Sequence, residues 1–366
     1  MTDNLALSGR VNDLLRPEVL AAFDRVRFEQ QGYWVWEQIL TDAGCRQWTA
    51  SLQRLQGMND AIVVDTDWGA IDYPSRGLVA PKPEDVTARS LVACCGGSEQ
   101  MRFQPPGLRD YMYEHGLFGP PPTPMAKDFE WQGMMPEYFP LAYDDFILDV
   151  ATSHPQMMEL FTKLLGARFL LDHVLTLNRP GGSRGRRWHG HGYRQGQHET
   201  VDTIGSHSVP LADFLPQQCI RTLCYPEGMS AADGGGELAV VPGAHLYRVP
   251  YLWDTVRNEY DDDFEAGWMR GRIHPRTGEP LRIEHLSLPA GSMVSFVHHM
   301  PHHVGHRDAD AATRWGLLMA YRTPDPSAPP TRWHEGTPAH WAERMMAAGK
   351  VTTAMDRVLA GDNATS

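Results

Sequence analysis

From residue 167 to residue 323 the chain repeats one pattern: a short apolar run, then a turn marked by glycine and proline. The runs fall at 169–177, 219–225, 237–241, 293–297 and 315–321. Between them stand Arg179-Pro180-Gly181-Gly182, Ala231-Ala232-Asp233-Gly234-Gly235-Gly236, Pro242-Gly243-Ala244-His245 and Pro289-Ala290-Gly291-Ser292. Many short strands cut by such turns favour a β-sandwich or barrel over alternating strand and helix. No internal repeat, G-x-G-x-x-G fingerprint or P-loop interrupts the pattern.

The first half reads differently. Residues 1–15 are expected to be a loose lead-in. Residues 16–30 carry Leu20, Phe23, Val26 and Phe28 among charges, which predicts a helix, and Gly32 stops it. Tyr33-Trp34-Val35-Trp36 predicts a short strand. Thr41 is placed to cap a helix over 42–55, with Asp42 at its positive end. Residues 57–150 mix aromatics, Met, Gly and Pro without a sustained period and include Gly119-Pro120-Pro121-Pro122-Thr123-Pro124. That stretch is expected to fold over the mouth of the barrel and shape a pocket, although a purely structural elaboration reads equally well. Ser153-His154-Pro155-Gln156 looks like a capping box with proline in the first turn, opening a helix that ends at Gly166. The organisation expected is one domain over 1–330: a helix-strand-helix layer at 16–56, the atypical 57–150 insertion and a core at 151–323. A tail of weak helical pattern follows at 331–366.

A net charge of −12 disfavours non-specific binding to nucleic acid or anionic membrane. No signal-peptide pattern and no membrane-length apolar run is evident, and the five cysteines form no C-x-x-C pair, so a cytoplasmic protein with reduced thiols is expected. Histidine is the unusual residue: 12 of the 17 lie between 189 and 306. In Trp188-His189-Gly190-His191, two imidazoles two residues apart on a strand face the same way. If they share a metal, a further ligand must come from far along the chain, and the patch at 298–306 supplies His302 or His303. Imidazole suits Fe, Zn, Cu and Ni alike, so the donors do not choose the metal. His298, His299 and His306 are hydrogen-bonding neighbours of that site or plain loop residues, and Trp188 and His245 read as structural.

In order along the chain, several segments resemble the phytanoyl-CoA dioxygenase-like family of Fe(II)/2-oxoglutarate-dependent oxygenases. They are Phe28-Glu29-Gln30-Gln31-Gly32-Tyr33; Ser153-His154-Pro155 with Leu164-Leu165-Gly166; Trp188-His189-Gly190-His191; Gly236-Glu237-Leu238 running to Pro242-Gly243-Ala244-His245; Pro289-Ala290-Gly291-Ser292 running to Phe296 and then Pro301-His302; and Arg314-Trp315-Gly316-Leu317. The likeness covers 16–56 and 150–323 and fails across 57–150. It implies a mainly β fold with flanking helices, the double-stranded β-helix (jelly roll, cupin-like). It implies Fe(II) on His189, His191 and His302, and 2-oxoglutarate as cosubstrate gripped by Arg314, whose planar fork suits a carboxylate. Asn178 is a second expected contact to 2-oxoglutarate, and Tyr193 and Arg194 are expected to line the site of a small-molecule substrate oxidised by O2.

One departure bears on the chemistry. The family has aspartate where this chain has His191. A neutral imidazole there leaves more positive charge on the iron and makes oxygen activation harder unless surrounding groups compensate. His191 is the third ligand; or Glu199, Asp202 or Asp213 replaces it; or catalysis has been lost. An imidazole also fills the space that halogenating relatives leave for halide. Two other readings fit the same residues: a three-histidine cupin-type oxygenase that uses no keto-acid, and a non-catalytic small-molecule-binding protein on a decayed oxygenase fold.

Overall fold

A computed structural model describes residues 11–65, 140–141, 144–183, 185–189, 219–247, 253–254, 259–260, 269–298 and 300–323. The apolar runs become strands in which alternate side chains face opposite ways. In chain order the strands are β1 (Tyr33–Trp36), β2 (Leu170–Thr176), β3 (Arg186–His189), β4 (Cys219–Tyr225), β5 (Leu238–Val240), β6 (Trp253–Asp254), β7 (Glu259–Tyr260), β8 (Glu284–His285), β9 (Ser292–Val297), β10 (His302–Val304) and β11 (Leu317–Arg322). Five of them form an antiparallel sheet in the order β1-β9-β4-β11-β2, and four form a second in the order β3-β10-β5-β8.

That order identifies the architecture. With β1 and the small β6–β7 hairpin set aside, the other strands can be renumbered one to eight along the chain. The sheets then read six-three-eight-one and two-seven-four-five. The chain crosses between sheets at every connection but one, which is the double-stranded β-helix, the jelly-roll solution to closing a sheet on itself.

Alternation divides the core. On β11, Leu317, Met319 and Tyr321 pack under the helices, whereas Leu318 and Ala320 point between the sheets. The space between the sheets also receives Leu175, Leu223, Tyr225, Leu238, Val240, Val294 and Phe296. Trp188, Ala239 and Val241 pack in a third cluster, with Tyr247 and Leu281. The parity of each strand therefore decides which side chains see the interior.

The helices are α1 (Pro17–Ala21), α2 (Arg25–Gln31), α3 (Asp42–Asp65), α4 (Asp145–Thr152) and α5 (Pro155–Leu165). Where one helix is expected over 16–30, the chain breaks, because the Asp24 carboxylate accepts from Arg27 N and starts α2 afresh. Thr41 Oγ1 accepts from Gly44 N as expected, but α3 runs well past residue 55. The lead-in is not loose at its end: Leu14 and Leu15 are buried, and Leu15 bridges Leu40. Gln156 explains this. Rather than completing a capping box, its side chain accepts from Leu14 N and Leu15 N and donates to Leu15 O. His154, not Ser153, occupies the N-cap of α5. Of the 57–150 insertion, residues 66–139 lie outside the described residues, as does the 331–366 tail. No helix among the described residues is long and apolar enough to cross a membrane.

The C-terminal end of α2 is bound to the barrel. A helix leaves its last four carbonyls without intrahelical donors. Here Gly32 N donates to Phe28 O, His245 Nε2 to Glu29 O, His274 Nε2 to Gln30 O and Gly243 N to Gln31 O. Gly243 has φ of +80°, and a Cβ there would strike the His274 ring, so glycine permits both the turn and the contact. His274 Nδ1 accepts from Arg276 N and Thr277 N, which fixes the ring as the neutral tautomer. Burial lowers its pKa from the ordinary value. The fold therefore takes up neutral His274, and its contribution is complete above the ordinary histidine range. That contribution is lost as pH falls through this range toward the lowered folded value, because the unfolded chain binds the proton first. We expect the urea midpoint to fall between about pH 7.5 and about pH 5.5, and to fall less in His274→Asn, which keeps an acceptor facing the turn. Equal falls in the two proteins would refute this.

Candidate active site

β10 lies between β3 and β5, and this placement makes the site. His302 pairs directly with His189 on one side and with Val240 on the other. The two imidazoles have centroids 3.9 Å apart with planes inclined at 51°, and each residue is 4 % exposed. Phe296 packs on His302 from the large sheet at 4.8 Å. His303 points the other way and lies over Trp188 at 5.4 Å. Strand parity thus puts His302, not His303, beside His189.

The donor set can be tested for metal. His302 Nδ1 lies 2.7 Å from Met300 O; a carbonyl only accepts, so Nδ1 carries the proton and the lone pair is on Nε2. A backbone carbonyl fixing the tautomer in this way is the usual support of a metal-bound histidine. An imidazole nitrogen about 2.1 Å from a cation puts its ring centre about 3 Å from it, so two rings sharing the cation must lie within about 6 Å. The pair meets this condition. Among the described residues no third His, Cys, Asp or Glu joins them. His191, Tyr193, Arg194, Glu199, Asp202, Asp213 and His299 all lie outside the described residues.

Arg314 is 5 % exposed. It continues the interior parity of Leu318 and Ala320, three residues before β11 begins at Leu317. Its Nη1 donates to Gly236 O and its Nη2 to Gly235 O, both at 2.6 Å. Gly236 lies four residues before Val240, the neighbour of His302, so the arginine is bound to the segment that leads into the strand beside the histidine pair. Burial first, then the charge of Arg307, lowers the pKa of Arg314.

Asn178 is a correction. It stands one residue out of phase with the interior positions Leu175 and Leu177, and its amide donates to Gln56 Oε1 on α3 at 3.0 Å. It faces the helical layer, and the interior position is its neighbour Arg179. Arg179, Arg307 and Arg221, the partner of His298, are the residues that sequence reasoning did not single out. Arg221 Nε donates to His298 Nδ1 at 3.1 Å, with both residues buried, so His298 is no plain loop residue; His306 is exposed. His245 is structural, as expected.

No family model matches the chain, and no curated protein does. Solved structures similar to it include the epimerase SnoN in complex with Fe3+, alpha ketoglutarate and nogalamycin RO (14 % identity, 87 % of this chain and 94 % of that one, TM-score 0.46). Others are EctD from S. alaskensis with bound Fe (13 %, 86 % and 82 %, TM-score 0.43) and the alpha ketoglutarate dependent carbocyclase SnoK (13 %, 92 % and 93 %, TM-score 0.43). At these scores the strand order, not the likeness, identifies the architecture.

Proposed function

We propose that the chain is a non-haem Fe(II)- and 2-oxoglutarate-dependent dioxygenase that oxidises a small molecule, by hydroxylation, with release of succinate and CO2. The observation that carries this is the His189–His302 pair inside a double-stranded β-helix, with a buried guanidinium on the same interior at the approach to the last strand. His189, His302 and His191 would hold the iron, and Arg314 would hold the remote carboxylate of 2-oxoglutarate. When bound, the iron supplies the activation of O2 that decarboxylates the keto-acid and oxidises the substrate. The chain's own part is positioning. Met300 O orients His302, and Phe296, Val240 and Leu238 keep the interior between the histidines and the arginine apolar. Gly235 O and Gly236 O hold the Arg314 fork in place. Tyr193 and Arg194, two and three residues after His191, are assigned to the substrate side.

Anaerobic addition of Fe(II) and then 2-oxoglutarate is expected to give a visible charge-transfer band, absent in Arg314→Ala, and aerobic turnover is expected to release succinate. Metal binding with no band and no succinate would instead favour the three-histidine, keto-acid-independent reading.

A further inference from the structure

We infer that Arg179 is a second carboxylate-binding residue, so that the remote end of the keto-acid is clamped between Arg179 and Arg314 rather than held by Arg314 alone. The inference rests on the function proposed above and adds a residue that the sequence motifs do not contain.

The backbone places the two arginines together. Arg179 N donates to Arg314 O, and Arg314 N donates to Arg179 O, each at 2.8 Å. Residues paired in this way across antiparallel strands project to the same face, here the interior. Their guanidiniums then converge, because Arg179 Nη1 and Arg314 Nη1 both donate to Gly236 O, at 3.2 Å and 2.6 Å. Arg179 Nη2 donates to Gly305 O. Gly236 has φ of +79°, and a Cβ on it would meet the side chains of Arg307, Arg179 and Arg314 at 2.6 to 3.3 Å. Only glycine leaves room for three arginines at this point.

The cluster has the electrostatics of an anion site. Burial, then the charge of Arg314, brings the Arg179 pKa down to about 10. Like charges drawn together in a buried space cost free energy that a bound anion offsets. Among the described residues neither Arg307 nor Arg314 forms an ion pair with a carboxylate, although Glu237 and Asp233 contribute at longer range to Arg314. Arg307, 2 % exposed, donates to Gly235 O and Ala312 O, and its Nε is buried without a hydrogen-bond partner. A buried donor left unmade costs more than a hydrogen bond gains, so an absent acceptor is the natural explanation. Arg314 supplies a planar fork, and Arg179, beside it, supplies a second set of donors and a second charge.

The test uses the full chain with Arg179→Met and Arg179→Lys. In the anaerobic Fe(II) protein, titration with 2-oxoglutarate read by the charge-transfer band should show at least about tenfold weaker binding in Arg179→Met, with the saturating band retained. The preference for 2-oxoglutarate over 2-oxopentanoate, which lacks the remote carboxylate, should fall by a similar factor, with Arg179→Lys between the two. Without metal, glutarate should raise the melting temperature of the wild-type protein, butyrate should not, and Arg179→Met should lose the glutarate shift. If Arg179→Met does not fold, Arg179→Lys alone must show the weaker binding. Binding within about twofold of wild type in the variants, with the wild-type band intact, overturns the inference and leaves the proposed function standing. A wild-type protein with neither band nor melting shift overturns both.

Discussion

Replacing His302 by alanine is expected to remove the metal rather than merely slow a reaction. Losing an outer hydrogen-bond partner of a ligand costs about 10- to 100-fold in metal affinity, and losing a ligand should exceed that range. The expectation is specific to His302. Its ring shares the interior with the His189 ring at 3.9 Å, and Met300 O fixes its proton on the nitrogen away from the lone pair. His303→Ala removes a ring that lies over Trp188 on the other side of the strand and should leave metal affinity within a few-fold. Anaerobic Fe(II) titration of the two variants decides it. An unchanged affinity in His302→Ala, or a larger loss in His303→Ala, would show that the histidine pair is structural.

The largest stability effect is expected at Trp36. Its side chain is fully buried, stacks on Phe23 at 5.1 Å and donates from Nε1 to Ser295 Oγ at 2.9 Å. Ser295 Oγ in turn lies 2.8 Å from Thr222 Oγ1, so the indole ends a polar chain reaching from β1 through β9 to β4. Trp36→Ala combines a large cavity with a broken buried hydrogen bond, and such truncations cost about 3–5 kcal/mol. Against a total of about 5–15 kcal/mol, that leaves a marginal protein. Trp36→Phe, which keeps most of the volume, should cost clearly less. Urea unfolding measures both. A loss below about 1 kcal/mol for Trp36→Ala would mean that β1 is not part of the cooperative unit.

Much of this was legible because local chemistry and tertiary demand coincide. The runs at 219–225 and 293–297 are apolar on both faces because each strand has a helical layer on one side and the second sheet on the other. Gly32 and Gly166 end helices where only a short turn can follow. Parity was harder to read. Choosing between Asn178 and Arg179, or between His302 and His303, depends on which residue of a neighbouring strand each one faces, and the chain does not carry that information locally. The bulge in the β2–β11 pairing shows how one residue resets the alternation. Arg179 reads in the sequence as the start of a turn because Pro180-Gly181-Gly182 follows it, and buried arginines are uncommon enough that polarity argues against an interior position. Gln156 departs from its local pattern for a related reason. Its spacing fits a local cap, but its amide satisfies the backbone of Leu14 and Leu15, some 140 residues earlier.

The bonds at the end of α2 also set an order of events during synthesis. The donors that complete that helix come from Gly243, His245 and His274, and β1 pairs with β9, which ends at Val297. An emerging polypeptide therefore cannot finish its amino-terminal layer until most of its length has left the ribosome. Until then Trp34, Trp36 and the ends of those carbonyls stay wet, and the nascent chain presents an aromatic, unpaired strand to whatever chaperone or neighbour it meets.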